Sequence, residues 1–212
     1  EFSYLPRKFK IAVTGSRRDR AATQVHDIGL RLLRNDQGEL GVEVLVGGGL
    51  GRTPVIGEVI HDFLPVRHLL SYLEAILRVY NLLGRRDNKY KARIKILVRA
   101  MGADQFKARV EREWEHLRDL PELTLEQADV DYMKQFFLAP AYAAPEDGNV
   151  LQRALSDDTG FKRWHRHNTV DHKQPGYRAV FISLKAPRVA PGDITADQMD
   201  AVADLAEEYS FG

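Results

Sequence analysis

Cysteine is absent from all 212 residues. Its absence excludes disulfides and thiolate nucleophiles, and it denies the chain any sulfur of its own with which to hold an iron-sulfur cluster. Charge of one sign is not in excess either. Lys and Arg total 31 against 30 Asp and Glu, a net of +1, so no general attraction to nucleic acid is expected. No apolar run is long enough to span a bilayer, and residues 1–3 do not open a charged-then-apolar secretory signal. A cytoplasmic protein is the expectation. Walker, Gly-x-Ser-x-Gly and His-Glu-x-x-His patterns are missing too, and the carboxylates are too dispersed to suggest an acid/base dyad. What remains, 44% hydrophobic and 29% charged, suits one globular domain or one and a half with a sizeable core.

The most informative stretch is Tyr4-Leu5-Pro6-Arg7-Lys8-Phe9-Lys10, which runs into Ile11-Ala12-Val13-Thr14-Gly15-Ser16. Pro6 fixes φ and removes a donor, so a strand is expected to begin just after it, at an edge or a cavity. Extended backbone alternates its side chains, which puts Lys8 and Lys10 on one side and Arg7 and Phe9 on the other. Two ammonium groups side by side suit an oxyanion; they equally suit a solvated strand edge guarded against aggregation.

Further along, residues 27–33 and 40–46 read as two strands joined by the turn Asn35-Asp36-Gln37-Gly38, an antiparallel hairpin ending in Gly47-Gly48-Gly49. Three glycines mean a sharp turn or a close approach, and the dinucleotide-binding spacing is not met. Residues 56–63 form a further strand candidate. Pro65 is expected to open a helix whose Leu69, Leu70, Leu73, Ile76, Leu77, Tyr80 and Leu83 face a core and which Gly84 ends. Six cations follow: Arg85, Arg86, Lys89, Lys91, Arg93 and Lys95. They fit a solvated helix face, a nucleic-acid patch or a pocket for a polycarboxylate. Ile94, Leu97, Val98 and Met101 make an apolar stripe beside them. Phe106, Val110 and Trp114 share one side of a helix over residues 103–118, and Thr124 to Gln127 is expected to box the start of another. Pro140, Ala143, Ala144, Pro145, Gly148 and Asp157-Asp158 mark residues 138–160 as a linker between domains over 1–137 and 161–212. Residues 177–184 read as a strand, and Thr195 to Gln198 caps a helix that buries Met199, Val202, Ala203 and Ala206. His165, His167 and His172 invite a metal, but no acidic or thiol partner completes a site, so no metal ligand is assigned.

Together the opening heptapeptide, Leu45 to Gly51, Lys91-Ala92-Arg93-Ile94-Lys95 and Pro191-Gly192-Asp193-Ile194-Thr195 resemble the sulfite and nitrite reductase hemoprotein family in order and spacing. The resemblance implies an α+β fold: an antiparallel sheet with packed helices, then part of a ferredoxin-like half-domain. It implies siroheme beside a 4Fe-4S cluster, with sulfite as substrate, six-electron reduction to sulfide, and a flavoprotein or ferredoxin as electron donor. Lys8 and Lys10 fall on the positions that hold the substrate anion. Arg7 and Arg93 fall to siroheme carboxylates, and Gly47, Gly48 and Gly49 to a loop against the ring. Lys10, where the nitrite enzymes tend to carry Asn, points to the sulfite branch; nitrite reduction is the first alternative and nucleic-acid binding by residues 85–95 the second. The family's cluster cysteines have no counterpart here. The resemblance therefore implies an internal fragment, inactive alone, binding little or no siroheme without the remainder of its parent chain, and with neither membrane nor nucleic acid as partner.

Overall fold

A computed structural model describes residues 2–143 and 149–210, which fall into two units, Glu1–Phe137 and Leu138–Gly212. The first is built on a four-stranded sheet of β1 (Ile11–Thr14), β2 (Ile28–Arg34), β3 (Leu40–Val46) and β4 (Glu58–Pro65), in that spatial order. The expected hairpin is β2–β3. Its turn closes because the Asn35 side-chain oxygen accepts the Gln37 and Glu39 amides at 3.1 and 2.9 Å, while Gly38 takes φ +80°, which favours glycine. Not all of the sheet is antiparallel. β1 runs parallel to β2, pairing Ile11 with Ile28 and Val13 with Leu30, and begins at Ile11 rather than directly after Pro6.

Alternation along β2 and β3 sends Ile28, Leu30, Val42, Val44 and Val46 to one face, where they are buried with Ile60 and Leu64 of β4. Helices α1 (Leu69–Leu83), α2 (Ile94–Met101) and α3 (Ala103–Trp114) cover that face. α1 contributes Tyr72, Ala75, Ile76, Val79 and Tyr80, α2 Ile94 and Val98, α3 Phe106 and Val110. Each large side chain removed from water stabilises by roughly 1.5–3 kcal/mol before entropy is counted. The buried stripe of α1 is rotated from the leucine-centred one expected: Leu70 is 40% exposed, whereas Tyr72 is sealed and donates to Glu111 at 2.7 Å. A hydrogen-bonded tyrosine ring outcompetes a leucine for the centre of the core.

Two other boundaries moved. Pro65 ends β4 and caps a 3-10 turn, Val66–His68, so it stands before α1 and not at its first position. Thr124 is spent closing the preceding 3-10 turn, its hydroxyl donating to the Leu120 carbonyl at 3.0 Å. The capping box of α4 (Gln127–Lys134) is consequently made by Glu126 and Asp129.

The second unit holds α5 (Asn149–Asp157), α6 (Thr159–Asn168), the antiparallel pair β5 (Thr169–Asp171) and β6 (Arg178–Val180), and α7 (Ala196–Tyr209). Helix α5 occupies part of the expected linker, whose residues 144–148 lie outside the described ones. The strand expected over 177–184 is short because only β5 pairs with it; Phe181 and Ile182 are left 59% and 58% exposed. Thr195 and Gln198 do box the start of α7, yet Met199 is 58% exposed and Val202 only half-buried. Among the described residues no helix is long and apolar enough to cross a membrane.

Candidate functional site

Lys8 and Lys10 are exposed while Arg7 and Phe9 between and before them are half-buried, the alternation expected of extended backbone. Phe9 and Leu5 pack on the core and so turn the lysines outward. The segment is tied down at three points. The buried Tyr80 hydroxyl lies 3.1 Å from the Arg7 carbonyl and 2.8 Å from that of Ala92. The Lys10 amide donates to Asp27 Oδ2 at 3.0 Å, and the Lys10 carbonyl accepts from the Ile28 amide at 3.1 Å. Among the described residues no carboxylate pairs with the side chains of Arg7, Lys8 or Lys10. The backbone is thus fixed at Arg7 and Lys10, and the two lysine side chains point outward from it while Arg7 lies on the other side. Beside them Ile11 and Val13 leave apolar surface open, 39% and 53% exposed.

Arg93, expected to meet a siroheme carboxylate, has a partner inside the protein. Its guanidinium grips Asp27 with two prongs, Nε to Oδ1 at 2.8 Å and Nη2 to Oδ2. Asp27 is completely buried and Arg93 half-buried, and the Asp27 hydrogen bond holds the guanidinium above its ordinary pKa. A buried carboxylate without a cation is costly, which explains why this arginine turns inward.

The glycine bend also faces protein. Gly47, at φ +80°, packs where a Cβ would meet Val98 at 3.0 Å; at Gly48 it would meet the Gln24 carbonyl oxygen at 2.4 Å, and at Gly49 Lys95 Cδ at 2.9 Å. All three are buried. The close approach read from the sequence is therefore real, and what approaches is residues 24–26, Val98 and Lys95. A two-residue bridge between Gly49 and Val55 closes the bend, and the buried Lys95 ammonium holds its far side by donating to the carbonyls of Leu50 at 3.1 Å and Thr53 at 2.7 Å.

The basic run is split, with Arg85, Arg86, Lys89 and Lys91 exposed and two cations turned inward. Arg85 pairs with Asp87 at 2.6 Å, Arg86 binds the Tyr4 carbonyl and Asn81, Arg93 and Lys95 turn inward, and Lys89 lies over the Tyr90 ring at 5.3 Å. Asp27 is the site residue that sequence reasoning missed, whereas Lys95 was read among the six cations without its role in the bend. Asp27 sits at the head of an apolar strand, 66 residues from its partner, and nothing local betrays the pair. His172 accepts the Gln174 amide at 3.0 Å, and among the described residues no three potential ligands gather around a metal position.

Comparison with known proteins puts this arrangement in a class. A family model described as "Nitrite and sulphite reductase 4Fe-4S domain" matches residues 1–117, which hold every residue named for the site. Since the match takes in more than half of the chain, the protein belongs to that family. It is 40% identical over 115 residues to the sulfite reductase [ferredoxin] of Synechococcus elongatus, covering 51% of this chain and 18% of that one. It is 36% identical over 116 residues to the ferredoxin--nitrite reductase of Leptolyngbya laminosa, covering 54% and 22%. To the assimilatory ferredoxin-dependent nitrite reductase of Haloferax mediterranei it is 30% identical over 215 aligned positions, covering 99% and 32%. The chain thus spans about a fifth to a third of the length of these relatives, and they carry both substrate names.

Proposed function

We propose that the chain forms the substrate-facing part of a siroheme sulfite reductase in the cytoplasm, with Lys8 and Lys10 as the groups that bind sulfite. The observation that carries this is the pair of outward ammonium groups on a backbone held at Arg7 and Lys10, free of any carboxylate partner among the described residues. Sulfite presents three oxygens and two negative charges, and charge-assisted hydrogen bonds are the strong kind. Each oxygen lost as water needs two protons, and an ammonium beside it is a suitable donor.

The residues present fit siroheme in part. Among the described residues the side chains of Arg7, Lys8 and Lys10 have no carboxylate partner, and Ile11 and Val13 of the strand that follows leave apolar surface open, which suits a flat ring with a carboxylate rim. Arg93, whose guanidinium stays partly open beside its Asp27 pair, is proposed to meet a siroheme carboxylate as well, and Gly47, Gly48 and Gly49 to form the loop nearest the ring. Siroheme, when bound, would supply the redox chemistry of the reduction together with the cluster. With no cysteine in the chain, the cluster's thiolates come from outside these 212 residues. A ferredoxin or a flavoprotein is the proposed electron donor; relatives are named for ferredoxin and for NADPH. The near-balanced net charge of +1 supports a function without nucleic acid.

In the full-length enzyme, Lys8→Ala or Lys10→Ala is expected to lower sulfite turnover about tenfold or more while siroheme absorption stays the same. Unchanged turnover would remove both from the mechanism. Nitrite reduction is the second possibility, favoured by relatives of that name. Lys10→Asn separates the two: it should shift the ratio of kcat/KM values toward nitrite, and an enzyme that already prefers nitrite before the change belongs to the other branch.

A further inference from the structure

Asp27 does more than neutralise Arg93. Its carboxylate takes the Lys10 amide at 3.0 Å, its own carbonyl takes the Gly47 amide at 2.9 Å, and the next residue, Ile28, donates to the Lys10 carbonyl at 3.1 Å. Both polar groups of the Lys10 backbone are thus held at the head of β2. Arg93, gripping the same carboxylate, is the residue that caps α2. One buried residue therefore joins three parts: its carboxylate holds the cationic segment and the start of a core helix, and its backbone carbonyl holds the glycine bend. A cluster of this kind holds only as a whole, because removing any member leaves a buried polar group or charge unpaired.

We infer that Asp27 is a positioning residue for the substrate: by fixing the Lys10 backbone it sets the root from which the ammonium reaches the anion, with Arg93 as its counterion. This rests on the role proposed above for Lys10. A misplacement of about 1 Å in a group that binds the reacting anion is enough to cost up to a hundredfold in rate. Asp27 itself touches neither substrate nor ring, so its effect passes through Lys10.

Asp27→Asn, Lys10→Ala and the double variant in the full-length siroheme enzyme form the test. Asp27→Asn is expected to raise the KM for sulfite about tenfold with siroheme absorption unchanged. Added to Lys10→Ala it should change KM by less than about twofold, since both changes act through one ammonium. If its effect adds in full, or if its KM is that of the wild type, the positioning role is overturned while Lys10 keeps its own. If Lys10→Ala alone leaves KM unchanged, the role of Lys10 falls, and this one with it. Should Asp27→Asn fail to fold, Asp27→Glu keeps the charge for Arg93, displaces the carboxylate by one methylene and enters the same cycle. A second readout needs neither cofactor nor turnover: in the 212-residue chain, the Lys10 amide should exchange with solvent about tenfold faster in either variant, with the Val44 amide unaffected. Unchanged exchange at Lys10 overturns the inference.

Discussion

The hydroxyl of Tyr80, sealed inside α1, stands 3.1 Å from the backbone carbonyl of Arg7 and so fastens the start of the cationic segment to the core. The same hydroxyl lies 2.8 Å from the Ala92 carbonyl, so a single phenol bridges the segment and the approach to α2. Burial raises its pKa, which keeps it a neutral donor. Tyr80→Phe preserves the packing and removes the donor. It should cost about 1–2 kcal/mol in urea unfolding and speed amide exchange over residues 5–9, with little change at β3. A loss confined to global stability, with no local loosening, would argue against the tether.

Gly48 is the bend position least able to carry a side chain, because a Cβ there would lie 2.4 and 2.6 Å from two backbone oxygens that cannot rotate away. Gly48→Ala should destabilise by about 1–3 kcal/mol or more. Gly15→Ala, where a Cβ meets nothing within 4 Å, should stay within about 0.5 kcal/mol of wild type. Thermal unfolding of the two variants makes the comparison, and equal costs would mean the bend is looser than its contacts imply.

Lys95→Met keeps the stem that packs on Gly49 and deletes the ammonium that holds the Leu50 and Thr53 carbonyls. Leu50 and Thr53 are themselves exposed, so water can replace part of what is lost. The cost should be modest, about 1 kcal/mol, and it should appear mainly as faster proteolysis within residues 50–53. A global loss as large as that of Gly48→Ala would mean that the charge supports more than this loop.

His61 gives the fold a pH dependence. Its ring meets Tyr72 and Trp114 edge-on at 5.4 and 6.3 Å, and its buried Nδ1 has no hydrogen-bond partner among the described residues. Burial lowers its pKa from the ordinary 6.5; nearby Glu111 and Asp62 work against that shift and Lys107 adds to it. The folded state therefore binds the proton less readily than the unfolded one, and stability falls as pH drops below about 6.5. Urea midpoints between pH 7.5 and 5.5 should show that fall, and His61→Phe should flatten it. A slope unchanged by the substitution would assign the dependence to other groups.

Where local chemistry decides the structure, the sequence was sufficient. The β2–β3 hairpin follows from its Asn35 and Gly38 turn, the start of α7 from Thr195 and Gln198, and the outward pairing of Lys8 and Lys10 from simple alternation. Gly47-Gly48-Gly49 declared a close approach without saying to what, because the approaching residues come from elements on either side in the chain. Arg93 was legible as a significant cation and its Asp27 partner was not, for the same reason: the two lie 66 residues apart, and only the assembled sheet and α2 bring them together. The capping box of α4 slipped by two residues because Thr124 was already committed to the turn before it.

The most direct trial is the affinity of the full-length, siroheme-loaded enzyme for sulfite after Lys8 and Lys10 are both changed to Ala, followed by titrating the siroheme absorption. Two charge-assisted hydrogen bonds are lost, so the dissociation constant should rise about a hundredfold or more while the spectrum without sulfite stays that of the wild type. A dissociation constant within about twofold of the wild-type value would mean that the anion is held elsewhere.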